Sequence, residues 1–556
     1  MRQPGCRSGA LASAVALAVG LAGLALAGCG GGTTSKPARA GGPVTVLMAR
    51  APNSLDPAVA DTPQALEADW LVYTPLLAYG HASGLLGTSL LAGLATSPPV
   101  ITDGGRAYAL TLRSGLAYSN GEAVRASDFT WAVERAIRLR WRQAPQLITS
   151  RIVGAGAFAA GRARTISGIT ANDTTGRITI HLTAPWGSFD DVLALPVLAP
   201  IPRDTPLHDE SERPPPGLGV YTFGKVVPGH SFSLLRNPRW HRGQIPGIPP
   251  AHVDVDVRIT RNTRLNATSV LNNTADVFDS ADQIPPVLLP RILQQAAGRY
   301  GKQAVNSTYL IFMNVTRRPF KSQLARIAVQ TALDEGTLTR LGGGTLQEGC
   351  FLIPPNMRGH SHDQCPRGNI EKGGDIAEGR ALVARSGTAG SRVTVWSAAS
   401  RPASSWMAYY TALLNQIGFR AKLKLVPDAG YYATIGDLTL HPQTGFGQLT
   451  PELQTPANLY ERLTGPVIRT PENQNWSEID DAYVNREVAA LASVPANHLG
   501  AVVTFWHGLE RYLADRAYLA VFGYQTVPLF VSDRLDFSLL HLSPVAGLDW
   551  SSLRLK

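Results

Sequence analysis

Two cysteines in the second half of the chain could form either a metal site or a disulfide. Cys350 and Cys365 flank His360, His362 and Asp363. Thiolates, imidazoles and carboxylates are zinc ligands, so a metal site is one interpretation of this segment. The segment lacks the closely spaced C-x-x-C or H-x-x-x-H pairs of structural zinc sites. A disulfide between the two cysteines is the simpler interpretation, provided that the domain is exported.

The beginning of the chain has the order of features that is typical of export. Arg2 and Arg7 precede an apolar run at 11–27, as the charged and apolar regions of a secretory signal do. L-A-G-C at 26–29 is similar to the bacterial lipobox. In that motif cleavage occurs before the cysteine, and the cysteine thiol carries lipid. An uncleaved anchor helix is the alternative, and it also places the body outside the membrane.

We therefore predict a lipoprotein signal peptide at 1–28, lipid on Cys29 and a flexible, glycine-rich tether at 29–43. The body would be extracytoplasmic and anchored to the cell membrane by this lipid. Such a compartment is oxidising, which favours a disulfide between Cys350 and Cys365 over the zinc alternative. We therefore predict no metal-binding residues.

Motifs for an exported enzyme are not convincing in this sequence. We found no G-x-S-x-G, S-x-x-K or H-E-x-x-H in a suitable context. We therefore predict no catalytic residues and no cofactors, and keep an exported hydrolase only as an alternative. The chain carries 51 Lys+Arg against 41 Asp+Glu, a formal charge of +10. Because the basic residues are scattered, they indicate a solvated basic surface and not a nucleic-acid partner.

The length of the chain predicts more than one lobe. With 556 residues, 44% hydrophobic and 17% charged, it is globular but too long for one core of ordinary size. Alternating segments predict strands through the first half. In the second half a strand at 392–396, a helix from about 405 and a strand at 421–426 form a crossover unit. This order predicts a partly parallel sheet.

Several short segments, taken in order, resemble a known family: the bacterial extracellular solute-binding proteins of family 5, which include dipeptide and oligopeptide binders. Each match is weak alone, but together they span nearly the whole chain after the tether. The matching segments are S-L-D-P at 54–57, V-Y-T-P-L-L at 72–77, L-A at 94–95 with L-R-S-G at 112–115, S-N-G-E-A-V at 119–124 with A-S-D-F at 126–129, G-V-Y at 219–221 with R-N-P at 236–238, Asn314 with R-P-F at 318–320 and Arg326, and N-W-S at 475–477 with Asp480.

The resemblance implies a mixed α/β (α+β) fold with two lobes and a hinged cleft, as in periplasmic binding proteins. Lobe I would comprise 44–305 and 522–556, with an extra subdomain inserted at about 81–200, and lobe II would comprise 306–521. It further implies a monomer that captures a peptide or peptide-like solute and delivers it to the transmembrane permease subunits of an ABC importer. A metal chelate, haem, a sugar or an antibiotic are alternative ligands of the same fold.

Peptide binders of this family carry a W-x-x-D segment whose acid meets the ammonium group of the peptide. Pro456 and the two residues after it fix the register here, so Leu449 replaces the tryptophan and Glu452 replaces the aspartate. The resemblance therefore implies that Leu449, Thr450 and Glu452 contact the ligand. The alternative is that Glu452 is an ordinary solvated loop acid.

Further candidate ligand contacts follow from the same resemblance. Asn53 and Ser54 come directly after the first predicted strand, where the family faces its cleft. Tyr309 lies near the predicted crossing between lobes, Trp396 ends a strand and Tyr431 opens the next segment. Aromatic residues at such positions are also common in protein cores, and that alternative stays open.

Overall fold

The structure is a computed structural model, and it describes residues 41–363, 365, 373–470 and 473–556. The predicted signal peptide at 1–28 and the lipidation site at Cys29 lie outside the described residues, as does most of the tether. Within the part of the chain that the structure describes, no helix is both long and apolar enough to cross a bilayer.

Strands contribute most of the framework. In chain order they are β1 Val44–Met48, β2 Leu77–Tyr79, β3 Leu90–Ala92, β4 Val100–Thr102, β5 Ala107–Thr111, β6 Ile169–Asn172, β7 Arg177–His181, β8 Tyr221–Val227, β9 Ser231–Arg236, β10 Val255–Ile259, β11 Val277–Phe278, β12 Tyr300–Met313, β13 Leu346–Gln347, β14 Arg392–Ala398, β15 Arg420–Val426, β16 Thr444–Leu449, β17 Leu519–Val531, β18 Leu542–Ser543 and β19 Gly547–Leu548.

Helices lie between these strands. They are α1 Pro63–Val72, α2 Ala126–Arg138, α3 Ala155–Ala159, α4 Phe189–Val192, α5 Thr263–Leu271, α6 Leu289–Gln295, α7 Gln323–Ala332, α8 Glu335–Leu341, α9 Ile376–Arg385, α10 Ala403–Gln416, α11 Tyr431–Ile435, α12 Pro456–Tyr460, α13 Ala482–Ala492 and α14 Val503–Asp515.

One large mixed sheet runs through the molecule. Its order is β15-β14-β16-β12-β17-β11-β1-β10-β9-β8, and β13 pairs with β17 at the side of this path. β14 and β15 are parallel and α10 lies between them in the chain, so the predicted crossover unit is confirmed. A separate four-stranded sheet, β4-β5-β7-β6, lies within the segment predicted as an extra subdomain.

Two hydrophobic cores form around this sheet. The larger buries Tyr73, Phe129 and Trp550, and it combines the first half of the chain with the C-terminal segment. The second buries Phe312 and Trp406 and draws on the residues between β12 and β17. The predicted mixed α/β, two-lobed fold is confirmed. The exact lobe boundaries stay predictions; they fall within β12 and near the beginning of β17.

β12 and β17 connect the two cores, and they pair with each other over most of their length. Their antiparallel register runs from Tyr300 opposite Phe530 to Phe312 opposite Leu519. The register shifts between the pairs Ala304–Thr526 and Thr308–Tyr524, so residues 305–307 face Gln525 alone. Extra residues on one strand make a β-bulge, which bends the strand and redirects its side chains.

Candidate functional site

A cavity of about 440 Å³ lies where the bulge of β12 meets the first core. Pockets that hold small ligands have volumes of roughly 300–1,000 Å³. Its wall on the first-lobe side includes Leu66, Trp70, Trp141, Val197 and Ala281, and its opposite wall is formed by 305–307, Gln525 and residues of the loop after β16. Most of these side chains are apolar, so the cavity suits a solute with an apolar body.

The bulge places a polar group of side chains at the cavity wall. Pairing of β12 with β16 begins only at Thr308, opposite Leu449, so 305–307 lie outside both registers. The Ser307 and Thr450 hydroxyls are 2.8 Å apart, and Gln448 donates to the Ser307 hydroxyl at 2.8 Å. Asn306 donates to the side-chain oxygen of Gln454 at 2.6 Å. The segment at 305–307 is therefore tied to the loop that faces it.

That loop, residues 450–454, is fixed at its far end as well. The Asn458 side-chain oxygen accepts from the backbone N–H of Glu452 at 2.9 Å. The backbone N–H of Gln454 reaches the Tyr79 hydroxyl at 3.4 Å, and that hydroxyl donates to Asp191 at 2.6 Å. The loop is thus held by a hydrogen bond to the nearby Asn458 side chain and by a polar contact with the first lobe.

Glu452 lines the cavity, and so does Thr450, as the resemblance implied for the ligand site. The Glu452 carboxylate is, however, already in an ion pair with Arg462. Arg462 lines a second cavity of about 270 Å³, which shares Glu452 and Gln143 with the first. Glu452 therefore has a cationic partner within the chain, and its role toward a ligand stays a prediction.

Two acids of α1 face the same cavity and were not among the predicted site residues. Glu67 is 2% exposed and Asp69 is 0% exposed, and both line the cavity wall. Burial raises the pKa of Asp69 well above its usual range, and the negative charge of Asp56 adds to this shift. Burial also raises the pKa of Glu67, with a further contribution from the charge of Asp279.

Asn53 and Ser54 support the loop after β1 and are not on the cavity wall. The Asn53 side chain accepts from the backbone N–H groups of Asp61 and Thr62, both at 3.0 Å. Ser54 is buried, donates to Asp209 at 2.8 Å and accepts from the N–H of Asp56 at 2.9 Å. Both residues hold the backbone from which α1 begins.

The structure places Leu449 and the three predicted aromatic residues in the second core. Leu449 is 1% exposed on β16. The Tyr309 ring packs against Trp406, with ring centroids 5.0 Å apart. The Lys424 ammonium lies over the Trp396 ring. The Tyr431 hydroxyl donates a hydrogen bond to the carbonyl of Phe446 at 2.7 Å. The three strand residues, and Tyr431 at the beginning of α11, pack into this core and are not among the residues that line the cavity.

Cys350 and Cys365 form a disulfide, with their Cα atoms 5.8 Å apart. Their sulfurs are therefore bonded to each other and not to a metal. His360 contacts the carbonyl of Ile353 at 2.7 Å through Nδ1. In the part of the chain described, no three His, Cys, Asp or Glu side chains are grouped so that they could hold a metal ion.

Little in the sequence indicated the cavity residues of α1, which were not among the predicted site residues. Glu67, Asp69 and Trp70 follow S-L-D-P within one short helix. Acidic residues in a helix usually lie on its solvated face. Here Ser280 and the segment 544–547 cover the helix from distant parts of the chain, so their burial could not be read from local pattern.

Comparisons with known proteins agree with this architecture. Residues 90–460 match the bacterial extracellular solute-binding proteins, family 5 Middle. The probable deoxycholate-binding periplasmic protein YgiS of Escherichia coli (strain K12) is 26% identical over 300 residues. That alignment covers 52% of this chain and 53% of the relative, so the two are matched over about half their lengths.

Solved structures share the fold over nearly the whole chain. The clavulanic acid biosynthesis oligopeptide binding protein 2 superposes with a TM-score of 0.80 at 22% identity, covering 93% of this chain and 95% of that one. The open, unliganded periplasmic murein tripeptide binding protein MppA gives 0.75 at 17% identity, covering 92% and 97%. The family match covers well over half of the sequence. This chain belongs to the bacterial extracellular solute-binding proteins of family 5.

Proposed function

We propose that the protein captures a peptide or peptide-like solute in the cavity beside the β12 bulge and delivers it to the permease of an ABC importer. The observation that carries the proposal is the combination of an apolar cavity with strand residues 305–307 that lie outside both neighbouring registers. An extended peptide can add to such a segment through its backbone, while apolar walls receive its side chains.

A second candidate is a bulky apolar solute, in line with the apolar wall and with the printed name of the deoxycholate-binding relative. The polar side chains of Asn306, Ser307 and Thr450 on the opposite wall favour a solute that carries hydrogen-bonding groups like those of a peptide backbone. For this reason the peptide-like solute is the preferred candidate.

Native mass spectrometry of the protein with a mixture of tripeptides tests the proposal. We expect a one-to-one complex in which the peptide mass is unaltered. Thr450→Trp should abolish this complex, because the exposed Thr450 side chain lines the cavity and a tryptophan would fill it. Thr170→Trp, on the exposed face of β6, is the matched control and should bind like the parent.

Three results would contradict the proposal. The first is deoxycholate binding without peptide binding. The second is equal peptide binding by Thr450→Trp. The third is recovery of cleaved peptides, which would instead support the exported hydrolase.

The lipid anchor at Cys29 is a further part of the proposal. It is supported by the charged and apolar segments before L-A-G-C and by the glycine run after it. In a bacterial host fed a labelled fatty acid, the parent protein should incorporate the label and partition with membranes. Cys29→Ala should lose both properties. A mature Cys29→Ala protein that stays in the membrane fraction would show that the anchor is elsewhere.

A further inference from the structure

The second cavity, of about 270 Å³, lies beside the first and shares Gln143 and Glu452 with it. One of its walls comes from 143–151, which follow α2, and the other comes from 452–469, which follow β16. Among the described residues, the charged side chains of its lining are Arg151, Glu452, Glu461, Arg462 and Arg469. Guanidinium groups thus outnumber carboxyl groups in this lining.

Arg462 uses one terminal nitrogen for contacts within the protein. That nitrogen, Nη2, donates to the Glu452 carboxylate and to the side-chain oxygen of Asn458, the latter at 3.3 Å. Among the described residues, Nε and Nη1 have no acceptor, and neither atom is fully buried. The side chain is 14% exposed and lines the cavity, so these N–H groups are the ones that a solute oxygen can reach.

Arg151 reaches the same cavity from the opposite wall. Its guanidinium lies over the Trp186 ring, 4.3 Å from the ring centroid. Within the described part of the chain its side-chain N–H groups have no acceptor, and none of them is fully buried. Burial raises the pKa of Glu461, although the charge of Arg151 acts against this rise. Glu461 therefore holds its proton more readily than an exposed glutamate and is a poor counter-ion for Arg151.

A carboxylate is the ligand group that fits these donors. A guanidinium presents its N–H groups as a planar fork, which matches the two oxygens of a carboxylate. A protonated amine does not fit, because it would meet positive charge and because Arg462 already balances Glu452. Burial lowers the pKa of Arg462 to about 10, which indicates that the pair with Glu452 offsets only part of the cost of burying the guanidinium charge.

We propose that the second cavity is an oxyanion subsite, in which Arg462 and Arg151 hold a carboxylate of the solute. The body of the solute lies in the first cavity, and its acid group extends past Glu452, where the two cavities meet. This inference rests on the proposed function, because it names the end group by which the same site recognises its solute. It reverses the sign of charge that the family resemblance implied for a solute beside Glu452.

Competition between three tripeptide mixtures, followed by native mass spectrometry of the full chain, tests the subsite. One mixture has free carboxyl termini and no acidic side chains, the second is its C-terminally amidated copy, and the third is the amidated copy with one glutamate. We expect the first or the third to bind at least about tenfold more tightly than the second, which lacks the charge-assisted hydrogen bonds. Tight binding of the first identifies a terminal carboxylate, and tight binding of the third identifies a side-chain carboxylate.

Arg151→Gln should remove most of this preference. Arg138→Gln is the matched control and should keep the preference, because Arg138 also lies over an aromatic ring, that of Phe158, but lines neither cavity. Arg462→Lys is the second variant if Arg151→Gln does not fold. Lysine can keep the pair with Glu452 but lacks the planar fork, so the preference should fall there as well.

Three results would overturn the subsite while leaving the peptide-binding proposal intact. The first is equal binding of the three mixtures by the parent protein. The second is an undiminished preference in both Arg151→Gln and Arg462→Lys, which would place the carboxylate elsewhere. The third is an equal loss of preference in Arg138→Gln, which would assign the effect to the net charge of the protein.

A further arm separates failure of the subsite from failure of the proposed function. If no tripeptide mixture binds, deoxycholate and its methyl ester replace the tripeptides. Tighter binding of the acid than of the ester, lost in Arg151→Gln, would support the subsite while rejecting a peptide as the solute. Equal binding of acid and ester, or no binding of either, would overturn the subsite.

Discussion

At the scale of single residues, Asp56 shows what a motif residue of this family does in this chain. Its carboxylate receives both terminal nitrogens of Arg135, at 2.6 and 2.5 Å, and both side chains are fully buried. Asn475 of N-W-S likewise bonds the backbone of Thr464 and Ile479. These motif residues therefore fix loops, while the cavity wall is built largely from other residues.

Replacement of Asp56 by Asn should strongly destabilise the fold. The change would leave the buried Arg135 charge without a full partner, which costs roughly 3–5 kcal/mol. Urea unfolding measures this difference. The control is Asp61→Asn, which breaks a much more exposed pair with Arg142 and should cost less than about 1 kcal/mol. Equal losses of unfolding free energy in the two variants would show that the buried ion pair contributes no more to stability than the exposed one.

Replacement of Asp69 by Asn should stabilise the ligand-free protein at neutral pH. Burial, assisted by the charge of Asp56, raises the pKa of Asp69 in the folded state. In the unfolded chain an aspartate ionises near pH ~4, so above that pH the unfolded state gains ionisation free energy that the folded state does not. The stability of the parent relative to Asp69→Asn should therefore fall as pH rises from 4 toward the folded-state pKa.

Thermal unfolding of both proteins at pH 4 and at pH 7 checks this sign. The two should melt at similar temperatures at pH 4, and Asp69→Asn should melt higher at pH 7. A parent protein that is the more stable of the two at pH 7 would mean that Asp69 is ionised and balanced in the folded state, contrary to its unpaired oxygens.

At the scale of elements, the bulge in β12 creates the site. It turns 305–307 toward the cavity, and the loop at 450–454 continues from β16 beside it. Alternation of apolar and polar residues revealed β14 and β15 in the sequence, because it reflects local burial. The bulge left no such signal, because it depends on the register with β17, which is distant in the chain.

The same limit explains why only some of the predicted site residues line the cavity. Pattern and resemblance located Thr450 and Glu452 at the cavity, since a family motif fixed their register. They could not show that Tyr309 and Tyr431 pack into the second core, because that depends on which face of each element its neighbours cover.

The segment between Cys350 and Cys365 offers a test at this scale. Peptide mapping of the unreduced protein should recover the two cysteines in one linked peptide. Cys350→Ser should lower the free energy of unfolding by roughly 3 kcal/mol, because the unfolded chain is no longer constrained. Recovery of both cysteines as alkylated free thiols before reduction would contradict the disulfide, and reduction before alkylation is the control.

At the scale of the whole molecule, the lobes meet in several places. β12 and β17 run through both, and hydrogen bonds join them elsewhere, one from the Thr88 hydroxyl to the carbonyl of Asn356 at 2.8 Å and others near the beginning of α12. There the Ser188 and Thr455 hydroxyls are 2.8 Å apart, and the N–H of Gly187 donates to the carbonyl of Ala492 at 2.9 Å. A solute in the cavity would thus touch segments from both sides of the molecule, as the two-lobed architecture requires.

The measurement that tests this account most directly is amide hydrogen exchange with and without a saturating tripeptide from the bound mixture. We expect slower exchange at 305–307 and 450–454 and, at the same time, in α1 and around Ser280 on the facing wall. The four-stranded sheet β4-β5-β7-β6 should exchange as before. Protection confined to one lobe, or absent from both walls of the cavity, would contradict capture of the solute between the lobes.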